Sequence, residues 1–138
     1  MKLILGAVKN VVLITCLAFL FYGLHRFLLV QFFKGDGIDD LLTKQHILLF
    51  SLSIFVYVTI YISHFFLPEK AGFVFLGLIM AKMIISGFFL HSIGWLEEGV
   101  PMYKKALFLL FYMLYSLILV YFCVLKFKGE SNDLESNN

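Results

Sequence analysis

Lys82 is the residue of this chain whose position calls most strongly for a chemical explanation. It lies at the centre of an apolar run from Gly72 to Ile93, GFVFLGLIMAKMIISGFFLHSI. A run of this length spans the roughly 30 Å hydrocarbon core of a bilayer at about 1.5 Å per residue. An ammonium group at that depth costs about 2.5–3.5 kcal/mol on insertion scales, so something must compensate it.

No carboxylate of the chain is predicted at the depth of Lys82. All acidic residues lie in loops or in the C-terminal tail: Asp36, Asp39, Asp40, Glu69, Glu97, Glu98, Glu130, Asp133 and Glu135. Three arrangements then satisfy the lysine. The amine is neutral because burial disfavours the charged form, or it lines a wet cavity among tyrosine and serine hydroxyls, or it pairs with a carboxylate on another membrane protein. Extension of the side chain to the membrane surface is a poor fourth option from mid-span.

Small and hydroxyl-bearing residues surround Lys82 in the sequence and in the last apolar run. Gly77 and Ala81 form a small-xxx-small pair, which lets another helix approach closely. Hydroxyl groups near the middle of the last run (Tyr112, Tyr115 and Ser116) and of the second run (Tyr57 and Tyr61) either pack and bond locally or provide a polar lining for the lysine. The candidate partner-binding residues are therefore Lys82, Gly77, Ala81, Ser86, Tyr112 and Tyr115.

Three histidines are weak candidates for metal ligands. His25, His46 and His91 are all predicted at helix ends on the side opposite the termini, where loop carboxylates also lie. Imidazoles and carboxylates together can hold a divalent cation. However, no fixed ligand spacing such as HxxxH is present, and histidines at a membrane interface are common. We therefore predict no metal and no cofactor.

The elements that position these residues are predicted from composition and from run length. The chain has 138 residues, 62% hydrophobic and 14% charged, with a mean hydropathy of +0.95. A soluble domain carries about 25% charged residues. The apolar residues form long runs rather than amphipathic stripes. We predict an all-α integral membrane protein, residues 1–128, with four transmembrane helices in an up-down bundle with short loops. The spans are about 8–30, 46–67, 72–93 and 103–125, and the tail 129–138 is polar and expected to be disordered.

Several function classes are excluded by the same residues. A net charge of +2 without a basic stripe does not suit nucleic acid. The serines of the spans have no predicted intramembrane His or Asp with which to form a dyad or triad, so we predict that the protein is not an enzyme. The loop sequence GDGIDD lacks the distal bidentate Glu of a calcium loop. Cys16 and Cys123 lie singly in apolar runs and are expected to act as small hydrophobes.

The distribution of Lys and Arg does not predict an orientation. Four spans place both termini on one side, and the positive-inside count is equal on the two sides. One side has Lys2, Lys9, Lys70, Lys126 and Lys128, and the other has Arg26, Lys34, Lys44, Lys104 and Lys105. The free amino terminus, with no long exported segment before the first span, favours both termini in the cytoplasm.

The lysine-bearing block also resembles a known family. Residues 73–90, FVFLGLIMAKMIISGFFL, resemble the central-lysine helix of the ATP synthase protein I (AtpI-like) family. The Gly-Phe-x-Phe-Leu-Gly start and the following Lys-Met are similar to a family of small four-helix membrane proteins from Bacteroidota, some of whose genes lie beside those of the ATP synthase membrane sector. The similarity is specific over this block and architectural elsewhere. AtpI-type helices often have an acidic residue before the lysine, whereas Leu78 follows Gly77 here, so a lysine–acid mechanism such as magnesium transport does not carry over.

The resemblance implies an accessory factor of the bacterial inner membrane that helps to assemble the rotor ring of ATP synthase c subunits. A c subunit carries an ion-binding carboxylate at mid-membrane, and Lys82 is expected to contact it until a neighbouring subunit replaces the lysine. Two alternatives stay open: a small ion or solute transporter or channel component, and a structural subunit of another membrane complex. The expected environment is the lipid bilayer, and a homo-oligomer is compatible with each alternative.

Overall fold

The structure is a computed structural model that describes residues 1–33 and 40–136, apart from the side chains of residues 2, 3 and 129–136. Its backbone forms four long helices, with a 3-10 turn between the second and the third. They are α1 (Lys2–Phe32), α2 (Asp40–Phe66), the turn Pro68–Lys70, α3 (Ala71–Ser92) and α4 (Met102–Ser136). All four are long and apolar enough to cross a membrane. The prediction of an all-α four-helix bundle is confirmed.

The distribution of polar and apolar side chains in α3 is the reverse of that in a soluble helix. Its large apolar residues, such as Phe73, Met80 and Phe88, are exposed. The residues that it buries are Ala71, Lys82 and Ser86. Such a helix is stable where lipid covers its outer face and polar groups find partners inside. The chain is a multi-pass membrane protein.

The helix α2 is the central element of the bundle. It packs closely against α1, α3 and α4, and α1 also packs against α4. Among the described long helices, α3 packs closely against α2 alone. Between α3 and α4 the contact is made by long side chains, such as Phe89 and Phe108, whose ring centroids are 6.5 Å apart. The third helix is therefore held to the bundle mainly through α2.

Two chain reversals set the relative level of the helices. Pro68 ends α2, because the residue before a proline leaves the helical region, and Leu67 has φ −141°. Gly94 ends α3 with φ +72°, a left-handed conformation that glycine adopts without strain. The amides of Gly94 and Trp95 donate to the carbonyls of His91 and Leu90. The two reversals bring the middles of α2, α3 and α4 to one level.

The helices extend beyond the predicted spans at several ends. The helix α2 begins at Asp40 rather than at 46, so it includes residues that the sequence assigned to a loop. The helix α4 continues to Ser136, which differs from the predicted disordered tail. No proline lies in this stretch, and a single Gly129 costs a helix only about 1 kcal/mol. Residues 137–138, and residues 34–39 of the acidic loop with Asp36 and Asp39, lie outside the described residues.

Candidate functional site

Lys82 points into the bundle and is only 1% exposed. Its Nζ donates to the Oγ of Ser53 on α2 at 3.3 Å and to the Oγ of Ser116 on α4 at 3.2 Å. The Tyr112 ring faces the same nitrogen, with its centroid 5.2 Å away, within the range of a cation–π interaction. The ammonium therefore directs its donors at two neutral oxygens and one aromatic face. The two serine hydroxyls resemble part of the polar lining that the sequence offered as one alternative, but Tyr112 contributes its ring face rather than its hydroxyl.

The hydroxyl of Ser53 is oriented to accept from the lysine. Its single hydrogen is donated to the Leu49 carbonyl at 2.7 Å, so its lone pairs face Lys82. Lys82 makes no ion pair with a carboxylate in the part of the chain that the structure describes. Within the described residues, its ammonium contacts neutral groups: two serine hydroxyls and an aromatic ring.

Lys82 also lies at the middle of its helix. The helix α3 runs from Ala71 to Ser92, so the lysine is about 15 Å from each end at 1.5 Å per residue. Because the outer face of α3 is apolar along its whole length, no charged surface lies within reach of the side chain on that helix. The position agrees with the predicted mid-span location.

A second buried polar group lies nearer the α3–α4 loop. His25 Nδ1 on α1 is 2.9 Å from His46 Nε2 on α2, and Gln45 Nε2 is 3.1 Å from the same His25 nitrogen. The Tyr115 hydroxyl on α4 is 3.2 Å from His46 Nδ1. All four residues are buried, and Phe111 stacks on the His25 ring with centroids 4.5 Å apart. We call His25, Gln45, His46 and Tyr115 the histidine cluster.

The hydrogen bonds of the histidine cluster fit two opposite proton arrangements. If His25 Nδ1 is the acceptor, its one lone pair is shared by the two donors Gln45 Nε2–H and His46 Nε2–H, and the Tyr115 hydroxyl donates to His46 Nδ1. If the Gln45 amide is turned over, His25 Nδ1–H donates to His46 Nε2, and His46 Nδ1–H donates to Tyr115. Both arrangements keep the two imidazoles neutral and use the same heavy-atom distances.

The predicted grouping of three histidines at the membrane face is wrong. His91 is exposed on α3 and does not join the other two, which are buried inside the bundle rather than at an interface. Because α2 begins at Asp40, His46 lies within a helix and faces α1 and α4. Among the described residues, no three His, Cys, Asp or Glu side chains come together as metal ligands. Asp40 pairs instead with Lys44 at 2.6 Å on the surface.

The other predicted site residues are divided among three places. Gly77 and Ala81 face outwards, and a Cβ at Gly77 would meet nothing within 4 Å, so no described helix of this chain packs there. Ser86 is buried one turn beyond Lys82, and its Oγ has no hydrogen-bond partner among the described residues. Tyr112 contacts Lys82, whereas Tyr115 belongs to the histidine cluster.

Three residues that hold these sites are absent from the predicted partner-binding set. Ser116 was predicted only as part of a polar lining for Lys82, Ser53 was given no contact with the lysine, and Gln45 was placed in a loop. The sequence does contain a signal for Gln45 and Ser53. They lie on one face of α2, at the three- and four-residue spacing that also includes Leu42 and Leu49. On α4, Ser116 follows Tyr112 by one turn and so faces the same side.

Three cavities adjoin the polar residues. A cleft of about 270 Å³ between α1 and α2 leads from the exposed Phe19 and Ile47 to His46 and Tyr115, and apolar atoms form its walls. An inner void of about 10 Å³ has apolar walls formed mainly by side chains such as Ile14 and Leu119, with Ser53 and Tyr115 also at its edge. An outer void, also of about 10 Å³, is lined by residues that include His25, Gln45, Trp95 and the half-buried Lys104.

The buried lysine has a clear chemical capacity, since an ammonium held by neutral groups can accept a stronger anionic partner. No protein-family model, curated protein or solved structure matches this chain.

Proposed function

We propose that this protein is an accessory protein of the bacterial inner membrane, with both termini in the cytoplasm, that helps to assemble the c-subunit ring of ATP synthase. In this proposal Lys82 binds the mid-membrane carboxylate of a c subunit. The observation that carries the proposal is the burial of Lys82 at the middle of α3 against neutral groups alone. The resemblance of residues 73–90 to the AtpI-like helix supports the choice of partner.

The energetics favour exchange of the hydroxyl partners for a carboxylate. A hydrogen bond that involves a charged group contributes about 1.5–3 kcal/mol net. Two unit charges 4 Å apart attract by about 4 kcal/mol at an effective dielectric constant of 20. A carboxylate that reaches Lys82 is therefore a better partner than either Ser53 or Ser116 alone. Such a carboxylate is itself costly in lipid and gains from the same contact.

The bundle offers a route by which that carboxylate reaches the lysine. The helix α3 packs closely against α2 alone, and the backbones of α3 and α4 stay apart. Ser116 and Tyr112 are only half-buried where α4 faces this seam. The flexible four-carbon stem of Lys82 lets its ammonium turn past Tyr112 into the seam. Gly77 and Ala81 have small side chains on the outer face of α3, so a second helix can approach that face closely.

The contact is expected to be temporary. In a closed ring each c subunit is flanked by other c subunits, and their contacts replace that of Lys82. An accessory protein that is displaced in this way binds single c subunits or incomplete rings more strongly than the finished ring.

Co-purification of c subunits from membranes tests the proposal. The full chain carries a tag and is compared with Lys82→Met, which keeps the length of the side chain and removes its charge. Lys44→Met is the matched control, because its exposed pair with Asp40 contributes little. We expect recovery with the wild type and with Lys44→Met, and loss with Lys82→Met or when the c-subunit carboxylate is changed to its amide. Equal recovery of c subunits with Lys82→Met and Lys44→Met would contradict the proposed role of Lys82.

A transporter or channel component is the second candidate, and the interior polar residues on α1, α2, α3 and α4 favour it. In this case Lys82 faces a path for an anion. Chloride efflux from proteoliposomes, present with the wild type and absent with Lys82→Met, would support this candidate, provided that c-subunit recovery does not depend on the lysine. A structural subunit of another complex would instead be identified by the proteins that co-purify with the tagged chain.

A further inference from the structure

The cleft between α1 and α2 is a place where lipid can enter the bundle. It has a volume of about 270 Å³, and its mouth is formed by Phe19 and Ile47, which are 75% and 59% exposed. Ala18, the smallest residue of its wall, leaves a space that no described side chain fills. An apolar cavity of about 150 Å³ accepts a molecule of benzene, so this cleft has room for roughly ten carbon atoms of a chain.

The polar groups in the wall of the cleft are already bonded inside the protein. The Thr15 hydroxyl donates to a carbonyl of its own helix at 2.8 Å, and the Tyr22 and Thr43 hydroxyls are 3.3 Å apart. The Tyr115 hydroxyl is bonded to His46 Nδ1 at 3.2 Å. The wall therefore presents hydrocarbon, and a polar ligand inside the cleft would leave water without gaining a partner. The occupant that fits is a hydrocarbon chain.

Two basic residues lie at the end of the cleft nearest the α1–α2 loop. Arg26 follows Tyr22, a wall residue, by four positions, so it lies one turn further along the same face of α1. Lys44 precedes Ile47 by three positions and lies on the side of α2 where the cleft opens. Both residues are exposed. Long basic side chains in such positions extend into the headgroup region of a bilayer.

The charges at this end of the cleft leave one positive charge in excess. The 3.1 Å contact between His25 and Gln45 sets the level of the two antiparallel helices, so the neighbouring residues Arg26 and Lys44 are also level with each other. Asp40 pairs with Lys44 at 2.6 Å, but an exposed pair of this kind contributes little, and a phosphate can replace the carboxylate. The net charge of Arg26, Lys44 and Asp40 is positive by one. A headgroup with one net negative charge complements it, whereas a zwitterionic headgroup does not.

We propose that the protein binds an anionic glycerophospholipid at this place, with one acyl chain in the cleft and the phosphate between Arg26 and Lys44. Basic pockets between transmembrane helices bind anionic headgroups in the same way. The hydroxyls of Tyr22 and Thr43 lie between the two parts of the site, where the ester groups of the lipid belong. Their mutual bond uses one of their two hydrogens, and the other can be donated to an ester oxygen. The site does not include Lys82, so the proposal is independent of the proposed function.

Native mass spectrometry of the full-length protein, delipidated in detergent, tests the proposal. Phosphatidylglycerol and phosphatidylcholine with identical acyl chains are added separately, and the affinity for the first bound lipid is measured. We expect the wild type to bind phosphatidylglycerol about fivefold more tightly, the equivalent of about 1 kcal/mol for one basic residue at an anionic lipid surface. Equal affinity for the two lipids overturns the proposal.

The headgroup contact is tested with Arg26→Gln, which makes the net charge at the end of the cleft zero. We expect this variant to lose the preference for phosphatidylglycerol. Lys105→Gln is the matched control, because it removes one positive charge at the same membrane face but lies about 15 Å along α4 from Tyr115, the residue that α4 contributes to the cleft. The control is expected to keep the preference. Retention of the preference in Arg26→Gln, or equal loss in both variants, overturns the phosphate site.

The chain contact is tested with Ala18→Phe, whose ring fills part of the cleft. We expect the affinity for both lipids to fall by about tenfold or more, because the chain loses apolar contact area. Ala106→Phe adds the same ring at an exposed position of α4 and is expected to leave both affinities unchanged. Unchanged affinity in Ala18→Phe, or equal loss in both variants, overturns the chain site. The measurement contains no c subunit, so its failure leaves the proposed function standing, and failure of co-purification leaves the lipid site standing.

Discussion

The Lys82 site and the histidine cluster are both buried, yet their chemistry is unlike. In the histidine cluster, neutral donors and acceptors are paired from His25 through His46 to Tyr115, whereas Gln45 Oε1 has no hydrogen-bond partner among the described residues. At the other site a charge is held by two hydroxyls and a ring. The histidine cluster stabilises the packing of α1, α2 and α4. The Lys82 site leaves on α3 a charge that a carboxylate of a partner would compensate better than one hydroxyl does. Burial of a polar residue therefore does not by itself indicate whether it serves stability or binding.

This difference predicts opposite effects of mutation on stability. Removal of a member of a matched network leaves its partners unsatisfied, at about 1–3 kcal/mol each. Replacement of an incompletely compensated charge by an apolar side chain is often neutral or stabilising. The free energy of unfolding, measured in bicelles, separates the two sites.

His46→Phe is expected to have the largest effect. It removes the contacts of His46 with His25 and Tyr115, and we expect a loss of about 2–4 kcal/mol in the free energy of unfolding. His91→Phe is the control, because His91 is exposed and its change should lie within about 0.5 kcal/mol. A similar small change for both variants would show that the cluster does not stabilise the bundle.

Lys82→Met is expected to act in the other direction. Methionine fills much of the same space without a charge, so we expect a gain of about 1–2 kcal/mol in the free energy of unfolding. The same variant should lose c-subunit recovery, which separates stability from binding. A destabilisation as large as that of His46→Phe would mean that the hydroxyls compensate the ammonium fully, and the contrast between the sites would disappear.

Ser53→Ala measures how much one hydroxyl contributes to holding the lysine. We expect a loss of about 1.5 kcal/mol in the wild-type background, because the charged Lys82 loses one of its two acceptors. In the Lys82→Met background the loss should nearly vanish, since the hydroxyl then has only the Leu49 carbonyl as its partner. Equal losses in the two backgrounds would show that Ser53 and Lys82 are not coupled.

Tyr112→Phe is expected to have the smallest effect. Lys82 lies over the face of the ring, which the substitution retains, and the substitution removes only the hydrogen bond between the Tyr112 hydroxyl and Ser116, so the loss in unfolding free energy should stay below about 1 kcal/mol. Tyr112→Leu, which removes the aromatic face, should cost more than Tyr112→Phe. Equal values for the two variants would show that the ring face does not stabilise the ammonium.

The four-helix bundle was predictable from the sequence because the hydropathy of a membrane span adds up over many residues. Each span contributes many apolar residues in succession, and Pro68 and Gly94 mark two of the reversals. The mid-span position of Lys82 was predictable from the length of the apolar run on each side of it. The beginning of α2 was less predictable, because the polar residues between Asp40 and Gln45 resemble a loop when their three- and four-residue spacing is not considered.

The sites were less predictable because they depend on which face of each helix turns inwards. Ala81 and Lys82 are neighbours in the sequence, but successive helical residues point about 100° apart, and only Lys82 faces the interior. His25 and His91 look equivalent at the ends of apolar runs, yet one is buried against His46 and the other is exposed. Contacts between residues distant in sequence, such as Ser53 and Ser116 with Lys82, need the relative rotation of three helices.

Covalent coupling of Lys82 to its partner is the most direct test of the central claim that this lysine receives a mid-membrane carboxylate. A hydrophobic carbodiimide activates a carboxyl group in lipid, and an amine in contact with it then forms an amide without a spacer. In membranes that contain both proteins, we predict a cross-linked peptide that joins Lys82 to the c-subunit carboxylate and is absent from Lys82→Met. Co-purification of the two proteins without any cross-link at Lys82 would contradict the account.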